Sequence, residues 1–265
     1  MTHTARIIAI ANNKGGCGKT TTAVNLAAAL SSAGRDVLCV DVDAQANLTA
    51  CFGIRTAAAS TFDALKAPRA PFIEPVRVRE PGHGSGRLDV LPASADLAAV
   101  EAALVGAPDR LQRFARFVEQ YRARYDCIII DTPPAVGVLT IGALYASDET
   151  IITTQPQFLA VQGLMKLRDA VDKLNAAGAS IGTVRVLFTQ YDRRKGLHRE
   201  TVERVEAAGF RVFSTKIRDN VALGEAPAAG LDIFQYAPRS NGAADYAALL
   251  NEYQSRGGIS HTKHK

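Results

Sequence analysis

Short apolar runs, rich in β-branched residues, alternate along the chain with longer stretches in which apolar residues recur every three or four positions. The short runs predict buried strands, and the longer pattern predicts helices with one apolar face. We predict strands at 7–11, 37–42, 88–91, 127–130, 149–154 and 184–189. Buried strands that alternate with helices indicate an α/β fold: a doubly wound, mostly parallel sheet with helices on both faces.

The segment 67–86 is rich in Pro and Gly, and we interpret it as a surface excursion rather than a domain boundary. Residues 1–254 are therefore predicted to form one domain, followed by a polar tail at 255–265. Two helical stripes are interpreted as core-facing: Leu111, Phe114, Val118, Tyr121 and Tyr125 in the first, and Leu164, Leu167, Val171 and Leu174 in the second.

Composition narrows the class of protein. Of the 265 residues, 47% are hydrophobic and 22% charged, which is ordinary for a soluble protein. The four cysteines are far apart and include no CxxC pair, so we expect neither a disulfide framework nor a four-thiolate metal site. Neither a secretory leader nor an apolar run of membrane-spanning length is visible. A cytoplasmic protein with no membrane partner is predicted.

The segment after the first predicted strand carries a phosphate-binding signature. A standard phosphate loop, G-x-x-x-x-G-K-[ST], has its first glycine where this chain has Asn13. Glycines allow the backbone to turn its N–H groups towards phosphate oxygens, and the next helix presents its positive end to the same anion. We expect Lys19 to neutralise the β- and γ-phosphates of ATP and Thr20 to ligate Mg²⁺. The predicted nucleotide-binding residues are Lys14, Gly15, Gly16, Cys17, Gly18, Lys19, Thr20 and Thr21.

Acidic residues follow two other predicted strands. Asp41 and Asp43 end the strand at 37–42, and Asp131 follows the run 127–130. The carboxyl ends of parallel strands face the ligand crevice of such a sheet. We therefore predict that these carboxylates organise a cation and an attacking water beside the phosphates, with Asp131 holding Mg²⁺.

These motifs resemble the deviant Walker A family of P-loop NTPases, above all the ParA/Soj partition ATPases. The similarity rests on the additional lysine in Lys14-Gly15-Gly16-Cys17-Gly18-Lys19-Thr20 and on Asp131-Thr132-Pro133-Pro134, and it extends over nearly the whole chain. Segment 41–45 resembles the family's D-x-D-P-Q, with Ala44 in place of proline. The resemblance implies that Lys14 acts on the nucleotide of a second copy in an ATP-sandwich homodimer. It also implies that Asp43 positions the hydrolytic water and that Asp41 supports the metal shell.

Positive charge is concentrated near the C-terminal part. Residues 185–218 contain nine Lys/Arg and four Asp/Glu, a net of +5, which equals the formal charge of the whole chain. The resemblance implies that the ATP-bound dimer binds non-specific nucleoid DNA there, and that a ParB-like partner stimulates slow hydrolysis. One segment departs from the family pattern, because Arg218 replaces its proline and Ala222 its arginine. The DNA-binding candidates are Arg193, Arg194, Lys195, Arg199, Arg204, Arg211, Lys216 and Arg218.

Two other functions stay open from the sequence. One is a nucleotide-gated scaffold or regulator that binds a protein partner without DNA. The other is a metabolic enzyme that transfers phosphate to a small acceptor, although no acceptor motif is visible. Within the resembling superfamily, the cysteines lack the context of a shared iron–sulfur cluster, and the tail lacks the apolar face of a membrane-targeting helix.

Overall fold

The backbone forms a single sheet flanked by helices, as seen in a computed structural model that describes residues 4–82, 84–179 and 181–255. The strands in this part of the chain are β1 (Arg6–Ala11), β2 (Val37–Asp41), β3 (Val76–Arg79), β4 (Leu88–Leu91), β5 (Cys127–Asp131), β6 (Glu149–Thr154), β7 (Thr183–Phe188) and β8 (Arg211–Val212). The helices are α1 (Lys19–Ser32), α2 (Asn47–Cys51), α3 (Thr61–Lys66), α4 (Leu97–Val105), α5 (Arg110–Glu119), α6 (Val138–Ala146), α7 (Ala160–Ala176), α8 (Gly196–Ala207), α9 (Val221–Glu225), α10 (Ile233–Tyr236) and α11 (Asn241–Ser255), with a 3₁₀ turn at Ala226–Ala229.

The described strands are ordered β3-β4-β2-β5-β1-β6-β7-β8 in the sheet. Every neighbouring pair is parallel except β3 with β4. From β1 the chain crosses to one side through α1 and β2, and it reaches the other side of β1 only with β6. The sheet is therefore doubly wound, and the predicted fold class is confirmed.

Alternate residues of β1 face two different cores, because successive side chains of a strand point to opposite faces. Ile7 and Ala9 belong to a core that the apolar faces of α3 to α8 complete. Ile8 and Ile10 belong to a second core, which α1, α2, α10 and α11 cover. Burial on both faces explains why the strands read as uninterrupted apolar runs in the sequence.

The prediction for residues 67–86 was incomplete, because this stretch contains the edge strand β3. Its sequence Val-Arg-Val-Arg carries charge at every second position, so it lacks the apolar run by which the buried strands were found. Arg77 forms an ion pair with Asp89 of the neighbouring strand, and Arg79 forms one with Asp232. Charged side chains on an edge strand discourage pairing with a strand of another chain, so the two arginines protect this edge of the sheet.

The first helical stripe was also predicted too long. Helix α5 ends at Glu119, whereas Tyr121 lies in the turn that follows and Tyr125 lies just before β5. Both rings are buried as expected, but their hydroxyl groups are satisfied across the fold: Tyr121 exchanges hydrogen bonds with the backbone of Ile73, and Tyr125 donates to Asp89. Their spacing in the sequence therefore matched a helix without requiring one.

Helix α11 ends at Ser255, so the predicted tail lies outside the described residues from 256 onwards. All four cysteines are buried free thiols. Among the described residues, no helix has the length and apolar character needed to cross a membrane. The carboxyl ends of β1, β2, β5, β6 and β7 meet at one edge of the sheet, around the point where the strand order reverses, and the candidate site lies there.

Candidate functional site

The phosphate loop joins β1 to α1 and depends on two glycines in the left-handed region. Gly16 has φ 71° and Gly18 has φ 79°, a conformation that other residues adopt only at a cost. A side chain at Gly18 would also meet Thr189, whose Cγ2 lies 3.2 Å from the position of an added Cβ. Gly18 immediately precedes the first residue of α1, so the helix begins at the loop. Gly15, Gly16 and the first residues of α1 line the same cavity, where the N-terminus of a helix favours an anion.

Hydrogen bonds from the Lys19 and Thr20 side chains hold the phosphate loop in place. The Lys19 side chain is buried, and its ammonium donates a 3.2 Å hydrogen bond to the carbonyl of Lys14, so that it spans the loop. The Thr20 hydroxyl donates a 2.7 Å hydrogen bond to Oδ2 of Asp131. The second carboxylate oxygen, Oδ1 of Asp131, is buried without a hydrogen-bond partner among the described residues.

Burial and the neighbouring Asp41 carboxylate raise the pKa of Asp131 well above its usual range, although Thr20 and Lys19 favour the ionised form. A buried oxygen without a donor is costly, and a nearby cation removes that cost. In the described part of the chain, no three His, Cys, Asp or Glu side chains converge on a metal position. Mg²⁺ suits such a site, because it takes few protein ligands and completes its shell with phosphate oxygens and water.

Asp41 pairs in register with Asp131 on adjacent strands, yet its oxygens are engaged by the protein. Oδ2 accepts hydrogen bonds from the backbone and hydroxyl of Thr49, at 2.9 and 2.7 Å, and Oδ1 accepts one from the backbone of Asp43 at 3.1 Å. Burial nevertheless raises the pKa of Asp41 to about 6. Asp41 thus anchors the turn and the start of α2, and its carboxylate helps to raise the pKa of Asp131.

Asp43 follows β2 and lines the cavity in front of the loop. We call this the phosphate-loop cavity; its volume is about 430 Å³, and its lining includes Gly15, Gly16, Lys19, Thr20 and Asp43. Oδ1 of Asp43 accepts a hydrogen bond from the backbone of Gln45. The loop and one predicted catalytic carboxylate therefore share one cavity, and Asp131 is joined to it through the Thr20 hydroxyl.

Lys14 and Cys17 do not line that cavity. The Cys17 thiol is buried under the loop, where it contacts the carbonyl of Lys14 and the hydroxyl of Thr153. The Lys14 side chain is exposed, and its ammonium donates a hydrogen bond to Oε1 of Gln157, in the segment after β6. Lys14 thus points away from the cavity that Lys19 serves.

A second cavity, of about 290 Å³, adjoins the loop, and it was not predicted from the sequence. We call it the base cavity, since its position beside the phosphate loop suits the nucleobase of a bound nucleotide. Its lining includes Gly18, Thr21, Gln190, Asn220, Val221 and Tyr246. Gln190 follows β7 in the left-handed region at φ 51°, unusual for a residue with a side chain. A bridge between Tyr191 and Arg218 joins the two segments that form the walls. Its residues come from distant segments with no shared motif, so only the resemblance of those segments to the family pointed to them.

The predicted basic residues largely converge. A cavity of about 700 Å³, which we call the basic cavity, is lined by Arg193, Arg194, Lys195, Lys216 and Arg218. Arg199 lies next to it and donates to the carbonyl of Arg193, whereas Arg204 lies further along α8 and pairs with Glu200 at 3.7 Å.

Two of the arginines that line the basic cavity are engaged in ion pairs. Arg194 pairs with Asp192 at 2.9 Å, and the Arg218 guanidinium donates hydrogen bonds to both oxygens of Asp245 in α11. The Asp245 carboxylate is only 11% exposed, which makes Arg218 part of the packing between its segment and α11. Arg193 and Lys195 are exposed to solvent at the mouth. The basic cavity shares Gln190, Arg218 and Asp219 with the base cavity.

A doubly wound sheet, a glycine loop with two lysines, and acids at the ends of two neighbouring strands define a P-loop nucleotide-binding protein of the deviant Walker A type. Comparisons with known proteins agree with that class. A family model described as an AAA domain matches residues 5–181. The sporulation initiation inhibitor protein Soj of Bacillus subtilis is 40% identical over 257 residues, which cover 95% of this chain and 99% of that protein. The chain belongs to the ParA/Soj family of partition ATPases.

Two further comparisons support this assignment. The chromosome partitioning protein ParA of Caulobacter vibrioides is 36% identical over 257 residues, covering 95% of this chain and 94% of that protein. Among solved structures, cobyrinic acid a,c-diamide synthase from Mycobacterium smegmatis with bound ATP analogue and magnesium superposes with a TM-score of 0.78 at 28% identity, over 98% of this chain and 100% of that one. The partition proteins are thus more similar in sequence than this metabolic enzyme of the same fold.

Proposed function

We propose that this chain is a nucleotide-switched ATPase that positions or segregates a cargo on DNA. ATP joins two copies into a dimer, the dimer binds DNA without sequence preference, and hydrolysis releases it. The observation that carries the proposal is the contact between two cavities: the basic cavity shares Gln190, Arg218 and Asp219 with the base cavity beside the phosphate loop. A nucleotide that fills the base cavity therefore touches the same segments that present positive charge to DNA.

The site's own residues account for the nucleotide chemistry. The N–H groups of the loop and the Lys19 ammonium bind the β- and γ-phosphates of ATP. Thr20 and Asp131 would hold Mg²⁺, which neutralises charge on the phosphates when it is bound. Asp43, at the rim of the phosphate-loop cavity, accepts a hydrogen bond from the attacking water and orients it towards the γ-phosphorus. The oxygen between the β- and γ-phosphorus leaves with ADP.

Lys14 completes the site from a second copy. Its ammonium points away from its own phosphate-loop cavity, while Lys19 already spans that loop. In a dimer that faces two such loops towards each other, Lys14 reaches the partner's phosphates and stabilises the negative charge of the transition state. Because a single copy lacks that charge, its intrinsic hydrolysis is slow.

The exposed positive charges supply the DNA surface. Arg193, Lys195 and Arg199 are exposed around the basic cavity, and phosphate-backbone binding needs positive charge rather than base contacts. A ParB-like or other protein partner stimulates hydrolysis and carries the cargo, which is a plasmid, a chromosome or a protein assembly. We place the protein in the cytoplasm, on the nucleoid.

Binding to random-sequence duplex DNA tests this function. Affinity is measured with ATP, ADP or no nucleotide across a salt series, for the wild type, for Lys19→Ala, and for Lys173→Ala on the exposed side of α7 as a matched control. We expect ATP-dependent binding that weakens with salt, is lost in Lys19→Ala and is retained in Lys173→Ala.

Two other outcomes would contradict the proposal. A wild-type protein that dimerises with ATP but ignores DNA at low salt would instead be a scaffold gated by nucleotide. A small acceptor molecule that raises ATP turnover in the absence of DNA would indicate a metabolic transferase.

A further inference from the structure

The exposed ammonium of Lys14 begins a chain of hydrogen bonds that returns to its own loop. Lys14 donates to Oε1 of Gln157, and Nε2 of Gln157 donates to Oε1 of Gln155. Nε2 of Gln155 then donates a 2.8 Å hydrogen bond to the carbonyl of Gly16. Both ends of this chain lie on the phosphate loop, and its middle lies in the segment between β6 and α7.

All the donors in this chain point in one direction, so each bond polarises the next, and the ammonium makes the first bond charge-assisted. The carbonyl of Gly16 also accepts a 3.2 Å hydrogen bond from Gln190, whose amide receives a hydrogen bond from Gln155 at 2.7 Å. Gln190 reaches this position with a left-handed backbone, at φ 51°. Three glutamine side chains therefore converge on the outer side of the loop.

The first bond of the chain is the one that can be exchanged. It is exposed to solvent, and its acceptor is a neutral amide, so it holds the ammonium less tightly than an anionic acceptor would. A triphosphate offers several charged oxygens to the same ammonium and outcompetes the amide. The backbone around Gln157 is held in place, since its N–H donates to the carbonyl of Gln155 and its carbonyl accepts from Ala160. The acceptor therefore stays fixed while Lys14 is free to leave.

We propose that Gln157 is a positioning residue that holds Lys14 in a parked position until a second nucleotide-loaded copy withdraws it. This inference rests on the proposed dimer and deepens it, because it assigns the residue that regulates access to the trans-acting lysine. The hydrogen bond to Gln157, which defines the parked position, keeps Lys14 away from the phosphates of its own chain. It must break before Lys14 reaches the partner's nucleotide, so it adds a step to dimer formation.

The test compares Gln157→Ala, Gln157→Glu and the matched control Gln162→Ala, on the exposed side of α7. The rate of ATP-dependent dimer formation is followed by stopped-flow light scattering. Gln157→Ala should speed dimer formation about two- to tenfold, the equivalent of one lost exposed hydrogen bond. Gln157→Glu should slow it, because a carboxylate holds the ammonium more tightly than an amide. Gln162→Ala should match the wild type.

A double variant separates parking from a general structural effect. In a Lys14→Ala background the substitutions at Gln157 should no longer change the rate. Affinity for a fluorescent ATP analogue, measured at a protein concentration too low for dimers, should be the same in Gln157→Ala, Gln157→Glu and the wild type. If the wild type dimerises with ATP and both Gln157 variants dimerise at its rate, the parking inference is wrong while the proposed function stands.

If the wild type does not dimerise, the proposed function is wrong, and a second measurement then tests the position of Lys14 by itself. Acylation of the Lys14 amine by an N-hydroxysuccinimide ester is then measured peptide by peptide in nucleotide-free protein. Lys14 should react faster in Gln157→Ala than in the wild type and slower in Gln157→Glu. Equal rates in the three proteins would overturn the parked position of Lys14.

Discussion

The Thr20 hydroxyl donates a 2.7 Å hydrogen bond to Asp131, and through it the first turn of α1 is joined to the end of β5. The pair lies beneath the phosphate loop, where the second oxygen of Asp131 is buried without a donor among the described residues. A buried carboxylate oxygen without a donor costs free energy, and a cation beside it removes that cost. Such an oxygen is typical of a metal-binding site rather than of a structural hydrogen bond.

Asp131→Asn should abolish the Mg²⁺-dependent part of ATP binding. The amide has nearly the same shape as the carboxylate but no charge, so it is a much weaker ligand for Mg²⁺. Calorimetric titration with ATP, with and without Mg²⁺, measures the effect. We expect Mg²⁺ to raise the affinity of the wild type and to leave that of the variant unchanged. An equal Mg²⁺ effect in both proteins would place the cation elsewhere.

Gly18→Ala should destabilise the folded protein by about 1–2 kcal/mol, the cost of a left-handed backbone for a residue with a Cβ. The close approach to Thr189 adds to that cost. Gly15→Ala is the matched control, because no atom lies within 4 Å of its added Cβ and its φ is not positive. Urea unfolding of both variants measures the difference. A Gly18 variant as stable as the Gly15 variant would refute the strained turn.

Asp41 should make the metal-free protein less stable as the pH rises from about 4 to 6. Burial raises its pKa in the folded state to about 6, against about 4 in the unfolded chain. Between these values the unfolded chain releases its proton first, so the free energy of unfolding falls with rising pH, by up to about 3 kcal/mol. Asp41→Asn removes this contribution, and its stability should depend less steeply on pH in that interval. If the stability of the wild type and of Asp41→Asn falls equally steeply with pH in EDTA, the pKa of Asp41 is not raised in the folded protein.

Arg193→Ala combined with Lys195→Ala should weaken DNA binding and lower its salt dependence. Each phosphate contact contributes about 1 to the slope of log affinity against log salt, so the slope should fall by about 2. Arg218→Ala should behave differently, because it leaves the mostly buried Asp245 carboxylate without its guanidinium partner and disturbs the wall of the base cavity. We expect that variant to lose stability and ATP affinity. An unchanged salt slope in the double variant would exclude these two residues as DNA contacts.

Phe158→Asp should prevent ATP-dependent dimer formation. The Phe158 ring is 72% exposed and follows Gln157 directly, and the next residue, Leu159, lines a groove with Lys14. Loss of a buried aromatic contact and gain of a charge should weaken the dimer at least about tenfold. Val105→Asp, at an equally exposed apolar position at the end of α4, is the control. Analytical ultracentrifugation with ATP measures both, and a normal dimer in Phe158→Asp would place the contact elsewhere.

The alternation of buried parallel strands with helices and the position of the phosphate loop could be predicted from the sequence alone. Buried parallel strands leave continuous apolar runs, and a loop that wraps a phosphate needs glycines at positions such as Gly16 and Gly18, so both features are local and visible. The edge strand β3 was not predicted, because it alternates arginines with half-buried valines and so has no continuous apolar run.

Only the tertiary structure decided which side chains come together. The base cavity joins Gly18 to Asn220 and Tyr246, which lie more than two hundred residues further along the chain. No local sequence pattern predicts that these residues come together. Net charge marked residues 185–218 as basic, but it did not separate the exposed Arg193 from Arg218, whose guanidinium is engaged by Asp245. Local sequence carries periodicity and turn chemistry, whereas the partners of a side chain depend on how distant segments pack.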